Sequence, residues 1–454
     1  MVKINFKSLL ISLSLVSMQT LLCITVCIAR GIESKIDEYI SACVKTGIFS
    51  GSVLVAINED IIVNKGYGMA NYELDIPNTP QTKFRIGSIT KPFTAMAIMQ
   101  LQEKGLLIVE DSIKKYLSDY PEGDKITIHH LLTQTSGVPD FTDSPEYKQM
   151  QMIPTTIENT IEMFKNKPLE YTPGEKYKYS NSGYVLLSYI IEKVSGKSFE
   201  AFLQENIIQP SNMTRTGVVH QNTITKDLAS GYALIDDTLT HAVSFGLTFA
   251  AGAFGLYSTV EDIYLWDLAY THEKLVSRSS LKKMFTPFKD DYGYGWFTNP
   301  IAYRKCLNHE GSVNGFASCY IRFVEDCVCI IILSNFEQAP VKNISKDVVA
   351  IIFGEKYDIP IVRIPKKVDP KIYDAFVGKF MLDLDFIIAI TKENERLFTQ
   401  ATGQPKYEIF PESETKFFFK VVDAQITFVK NEKGEVIELI LHQFGKDHTA
   451  RKIE

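Results

Sequence analysis

The 454-residue chain has no long run of lysine or arginine: Lys+Arg total 48 against Asp+Glu 54, a net charge of −6. Nucleic-acid binding normally leaves a basic footprint, so no nucleic-acid partner is expected. Cysteine is scarce. Of seven, Cys23 and Cys27 fall in an apolar amino-terminal run, and the other five are odd in number and widely scattered, which is no disulfide framework. Cys327-Val-Cys329 reads as small buried hydrophobes on one face of a strand. Clustered metal ligands are missing, and His129 and His130, adjacent on a helix, face different directions, so neither metal nor cofactor is expected. There is no Gly-x-Ser-x-Gly of an α/β-hydrolase, no His-Glu-x-x-His of a zinc peptidase and no Walker loop. Internal repeats are absent too. Glycine (26) and proline (18) are at ordinary levels, which excludes collagenous and low-complexity chains.

The amino terminus reads as an address. Lys3 and Lys7 precede an apolar run from about Leu9 to Ile28, and Cys27-Ile28-Ala29 offers a small-x-small exit. That is the layout of a signal peptide cleaved after Ala29. The run also approaches the ~20 residues that span a bilayer, so residues 1–29 are a signal peptide or a membrane anchor. Either makes the protein exported: periplasmic, secreted or membrane-anchored.

Beyond it, Ile36, Tyr39, Ile40, Cys43 and Val44 form a helical stripe that stops at Gly47. Two strand-like runs, Ser52–Ile57 and Ile61–Asn64, form a hairpin signal. A second helix covers about Ser88–Lys104 and ends at Gly105. Mixed helical sequence fills about Asp111–Asn212, and strands return at Phe316–Phe323 and Val328–Leu333. Strands at both ends with helices between them predict an α+β domain over 30–358, with one sheet assembled from its two ends. Residues 359–370, with three prolines, read as a linker. The last stretch, 371–454, alternates short strands with turns (Phe386–Ile390, Lys416–Val422, Ile426–Val429, Asn431–Gly434, Val436–Leu441) and predicts a small antiparallel barrel.

The chemistry concentrates at Phe84–Phe93 (FRIGSITKPF). Ser88 and Lys91 are three apart and share one face of a helix. Pro92 lacks an N–H and is tolerated only in the first helical turn, so the helix starts near Ser88. The Ser88 backbone N–H then points where its hydroxyl attacks, which joins a nucleophile to an oxyanion donor. The plain alternative is a serine cap beside a solvated lysine.

Three more segments extend the pattern: Ile126–Phe141 (ITIHHLLTQTSGVPDF), Pro173–Tyr184 (PGEKYKYSNSGY) and Ala251–Asp262 (AGAFGLYSTVED), followed by His309-Glu310-Gly311. With Ser88-Ile-Thr-Lys91, these ordered motifs resemble the class C β-lactamase-like, or beta-lactamase-related, serine hydrolases and penicillin-binding proteins. The resemblance implies a β-lactamase/transpeptidase-like fold, an antiparallel sheet flanked by helices with a helical subdomain. It also covers the carboxy-terminal segment, which looks like the β-barrel domains appended to some of these hydrolases.

Site residues follow from the resemblance. Ser88 is the acylated nucleophile, Lys91 and Tyr179 share the proton work, and Asn181 binds substrate. His309 and Gly311 stand on the binding strand, and the Ser312 N–H is the second oxyanion donor. A lysine acting as base near pH 7 must sit about 3.4 units below its ordinary value, a cost of about 4.6 kcal/mol. A helix N-terminus supplies only about 0.3–1 kcal/mol of that, so desolvation must supply the rest. The rival is a charged Lys91 that lowers the Tyr179 pKa, and the sequence leaves both open.

Three positions depart from the family pattern. Gln134 stands where histidine is frequent. His309 and Glu310 replace the Lys-Thr of the class C enzymes. A histidine near its titration point holds a substrate carboxylate less tightly than lysine, and Glu310 would weaken that hold further if it faced inward. The expected activity is a serine hydrolase acting through a Ser88 acyl-enzyme on D-amino-acid peptides, cell-wall fragments or small esters. The alternatives are a true β-lactamase or D-Ala-D-Ala carboxypeptidase, and a catalytically inactive protein that binds cell-wall peptide or β-lactam. The expected partner is therefore a small peptide, ester or β-lactam substrate, with membrane attachment through the amino-terminal segment as an option.

Overall fold

A computed structural model describes residues 29–147, 155–220, 223–235, 238–243, 248–419, 424–443 and 446–453. The expected signal peptide or anchor lies, but for Ala29, outside the described residues. By its internal contacts the chain divides into two units, one ending at Ile359 and one beginning at Pro360.

In the first unit, α1 (29–45) leads into β1 (Gly51–Ile57) and β2 (Asp60–Tyr67). The strands β3 (Leu307–Val313), β4 (Phe316–Phe323) and β5 (Val328–Ser334) come some 250 residues later in the sequence. They join in one antiparallel sheet of order β3-β4-β5-β1-β2. Both ends of the domain thus build one sheet, with Val53 opposite Ile332 and Val55 opposite Ile330. The strand sequences are apolar on both faces because both faces are covered. Val53, Val55, Ile330 and Ile332 pack against Ile36, Tyr39 and Ile40 of α1 and against Ile344 and Val348 of a last helix. Leu54, Ala56, Ile331 and Leu333 face the helical region. Period-two alternation sorts the two sets.

The helical region centres on α2 (Thr90–Glu103). Twelve of its fourteen residues are buried, which is why it shows no polar stripe: it is enclosed on all sides. Phe93 stacks on Trp266 with ring centroids 3.6 Å apart. Beside α2 runs α3 (Asn181–Ser195), which ends at Gly196 in the left-handed region. A side chain at Gly252 would meet Tyr184 O at 2.6 Å and Ser188 Cβ at 2.8 Å. Glycine there lets the short helix Ala251–Phe254 press against α3. The domain closes with α4 (Val341–Phe353).

Two details differ from the sequence expectation. Cys327 sits exposed in the β4–β5 turn with φ +52°, and only Cys329 lies in the strand. The sequence put both on a strand because a Cys-Val-Cys run alternates as a strand does, but the turn begins earlier. No disulfide forms among the five described cysteines.

The second unit is a closed barrel of eight antiparallel strands. They are β6 (Gly378–Asp383), β7 (Phe386–Glu393), β8 (Arg396–Ala401), β9 (Lys406–Pro411), β10 (Lys416–Phe418), β11 (Ala424–Lys430), β12 (Val436–Gln443) and β13 (Lys446–Lys452). Its core is Phe376, Phe380, Phe417 and Phe428 with smaller aliphatics. Closure leaves no free edge. Asn431–Gly434, expected as a strand, is the turn between β11 and β12, with Gly434 at φ +81°.

Candidate active site

The turn that presents Ser88 is held from several sides. The strand Phe84–Arg85 ends at Ile86, and Gly87, at φ +51°, turns the chain into a short 3₁₀ stretch, Gly87–Ile89, ahead of α2. The Thr90 hydroxyl donates to Gly87 O at 2.7 Å and accepts from the Leu256 N–H at 3.2 Å. The Ser318 hydroxyl lies 2.9 Å from Ile86 O and 3.3 Å from Gly311 O, which ties the turn to the sheet. Two glycines allow that approach. A Cβ on Gly311 would lie 2.1 Å from Ile86 O, and one on Gly87 would lie 2.7 Å from Ser312 N. The backbone at Ser312, on edge strand β3, is thereby brought against the Ser88 turn.

The cap alternative does not describe this serine. The 3₁₀ stretch is entered at Ile86 with no side-chain cap bond, and Lys91 is buried, not solvated. Its Nζ lies 2.9 Å from Ser88 Oγ, 2.8 Å from Asn181 Oδ1 and 3.0 Å from Ala253 O. It also stands over the Tyr179 ring, 4.6 Å from the centroid. Burial pushes the amine down to about 7, against an upward pull from the Asp140 carboxylate.

Tyr179 hydrogen-bonds Ser88, yet enclosure by protein keeps its phenol well above its ordinary value. The loop that carries it is pinned by Gln134, itself buried at φ +58°. Gln134 Oε1 accepts from the Ser180 N–H and its backbone carbonyl accepts from the Lys178 N–H, each at 2.9 Å. Asn181 opens α3, and Asp140 takes both its backbone N–H and its Nδ2 at 3.0 Å.

His309 and Gly311 alternate onto the Ser88 side of β3. His309 is 2% exposed. Its Nδ1 lies 2.6 Å from Glu310 O and its Nε2 3.3 Å from the Tyr292 hydroxyl. A carbonyl only accepts, so Nδ1 carries the proton. Burial and the neighbouring Lys91 push the imidazole down to about 3. The expectation of a histidine near its titration point is corrected here: a desolvated ring beside another cation stays neutral. Glu310 alternates away from His309 along β3 and pairs with Lys342 at 3.3 Å, and both stand on the lining of the cleft that holds Ser88.

The seven residues singled out in the sequence thus meet at one place. Ser88, Tyr179, His309, Gly311 and Ser312 line a cleft of about 450 Å³, with Lys91 joined to it through the Ser88 hydroxyl and Asn181 joined through Lys91. A larger cavity of about 680 Å³, lined in part by His129, His130, Phe288 and Tyr294, includes none of them. Among the described residues no group of three or more His, Cys, Asp or Glu side chains could hold a metal ion. Sequence reasoning passed over Asp140, the Ala253 carbonyl and Tyr292. Asp140 and Ala253 lie within segments already singled out, whereas nothing in the sequence marks Tyr292.

Comparison with known proteins places the chain in one family. The family described as Beta-lactamase matches residues 36–351, and a domain of unknown function (DUF3471) matches residues 362–452. Penicillin-binding protein 4* of Bacillus subtilis (strain 168) is 31% identical over 439 residues, which is 88% of this chain and 94% of that protein. The octameric penicillin-binding protein homologue from Pyrococcus abyssi is similar in structure, with TM-score 0.67 and 26% identity over 92% of this chain and 99% of that one. D-amino acid amidase from Ochrobactrum anthropi SV3, solved with D-phenylalanine, has TM-score 0.63 at 22% identity over 71% of this chain and 99% of that one, a likeness of fold.

Proposed function

The chain belongs to the Beta-lactamase family, and from that premise we propose that it is an exported serine hydrolase that cleaves amide or ester bonds through an acyl-enzyme on Ser88. One observation carries the reading, the set of acceptors around Lys91 Nζ. Asn181 Oδ1 and Ala253 O can only accept, so two N–H bonds of the amine are committed to them. The third position faces the Ser88 hydroxyl. When the amine is charged it offers a proton there, and when neutral it offers a lone pair. With its pKa near 7, a large share of the amine is neutral at physiological pH and accepts the Ser88 proton as Oγ attacks the substrate carbonyl.

The developing oxyanion is stabilised by the Ser88 and Ser312 N–H groups, worth roughly 2.7–4 kcal/mol each. Tyr179, kept protonated by its enclosure, gives its phenol proton to the departing amine or alkoxide. The proton that Lys91 took from Ser88 passes to the Tyr179 phenolate, which restores both groups; water then releases the acyl group by giving a proton to the neutral Lys91, which returns it to the departing Ser88 Oγ.

The substrate class follows from charge. A neutral His309 offers no lasting cation to a substrate carboxylate, and Lys342 is engaged by Glu310. Small esters and D-amino-acid amides or peptides are therefore favoured over β-lactams and carboxylate-anchored dipeptides. The test is a panel of a p-nitrophenyl ester, D-alanyl-p-nitroanilide and nitrocefin. The ester and the anilide are expected to turn over faster than nitrocefin, and no turnover of any of them would count against an enzyme.

The pH profile is a separate check. Since the neutral amine is the active form, kcat/KM should rise through a single acid limb near pH 7. His309, at about 3, should add no second limb between about pH 5 and 9. A second ionisation in that range would assign His309 a charge the cleft denies it.

A further inference from the structure

We infer that Asp140 is a positioning residue of this site: its carboxylate fixes the Asn181 amide so that the carbonyl end faces the Lys91 amine. This rests on the acyl-enzyme reading and adds to it the group that holds the lysine in its working orientation.

The argument is one of donors and acceptors. An asparagine amide has two nearly isosteric ends, one donating and one accepting. An ionised carboxylate only accepts, so the end of Asn181 that meets Asp140 must be the NH₂. That leaves Asn181 Oδ1 for Lys91, 2.8 Å away. With the amide reversed, its NH₂ would aim at the lysine and occupy the lone pair that Ser88 needs.

Asp140 is itself tightly held. Its Oδ2 accepts both the backbone N–H and the Nδ2 of Asn181, and its Oδ1 accepts the backbone N–H and hydroxyl of Thr142 at 3.0 and 2.9 Å. Ser182, next along α3, clasps both flanking peptides: its hydroxyl donates to Pro139 O at 2.7 Å and accepts from the Phe141 N–H at 2.9 Å. The carboxylate also meets the first turn of a fifteen-residue helix, where negative charge is favoured.

Asp140 acts on the charge of Lys91 as well. The groups that face the amine are the Ser88 hydroxyl, the Asn181 amide, the Ala253 carbonyl, the rings of Tyr179 and Tyr184, the neutral His309 and the Asp140 carboxylate. Of these the carboxylate pulls the amine toward its charged form. Its removal moves the acid limb to lower pH.

The experiment follows the rate at which a fluorophosphonate labels Ser88 in the full chain, read by mass spectrometry across about pH 5–9. Wild type should be labelled at Ser88 with a midpoint near 7. Asp140→Asn should label about tenfold more slowly on the plateau, with its midpoint lowered by about half a unit and its Tm within about 2 °C of wild type. In an Asn181→Ala background the same substitution should cause no further slowing, because the two act in series.

Wild-type labelling at Ser88 with an unchanged Asp140→Asn profile overturns the inference and leaves the acyl-enzyme reading standing. A slowed variant with an unmoved midpoint and a lower Tm makes Asp140 a mere helix cap and also overturns it. No labelling of wild type at Ser88 brings down the reading itself. Should Asp140→Asn lose its melting transition, Asp140→Ser keeps a capping oxygen, removes the Asn181 contact and carries the same expectations.

Discussion

Ser88→Ala is expected to lower turnover of every substrate by about 10⁴–10⁶-fold while leaving the melting temperature nearly unchanged. The two halves of that result come from different features of the turn. Activity falls because Oγ is, among the described residues, the one hydroxyl at once beside the Lys91 amine, hydrogen-bonded to Tyr179 and placed on the cleft. Stability stays because Oγ closes no helix end, and the bonds that hold the turn belong to Thr90 and Ser318. Removing one half-buried hydroxyl costs about 1 kcal/mol. Steady-state kinetics on the ester beside calorimetry of the same sample checks both. A drop of many degrees with modest loss of turnover would return Ser88 to a structural role, and a fluorophosphonate adduct on another serine would move the nucleophile elsewhere.

How far the sequence could be read depends on whether a feature is local. The sheet was legible from both ends of the domain because Ser52–Ile57 and Val328–Leu333 are too uniformly apolar to be anything but strands covered on both faces. The Ser88-to-Lys91 spacing was legible because one helical turn fixes it, and Pro92 dates the turn to the start of the helix. The barrel was harder: β6, β8, β9 and β13 carry charged residues on their outer face, and only closure reveals their inner one. Asn431–Gly434 resembled a strand by position, yet Asn-Glu-Lys-Gly is turn chemistry. The charge state of His309 was beyond reach for another reason. A pKa of about 3 comes from burial and from Lys91, which is distant in sequence. Likewise the direction of Glu310 depends on which face of β3 meets Ser88, and that is set by the contact of Gly87 with Gly311. The Ala253 carbonyl leaves no trace in side-chain identity at all.

Lys91→Met is expected to remove activity, by about 10⁴-fold or more, and to raise stability, two effects of opposite sign from one group. The amine sits near 7 in the folded protein and at 10.5 ordinarily. Between those values the unfolded chain binds more protons than the folded one, so this group makes wild-type stability climb as pH rises from about 7 to about 10.5. Below 7 the folded protein carries the whole cost of a buried charge, about 5 kcal/mol. Methionine fills similar space without that charge. It leaves Asn181 Oδ1 and Ala253 O without a donor, which gives back about 2 kcal/mol for each. A net gain of about 1 kcal/mol therefore remains near pH 6, enough to lift Tm by about 1–3 °C. The difference from wild type should close, then reverse, as pH approaches 10, because wild type no longer holds a charge there and the orphaned carbonyls of the variant persist. Melting curves of the two proteins across that range decide the matter. Parallel curves would mean that the amine is solvated and keeps its ordinary pKa, and a lysine in that state could not serve Ser88 as a base.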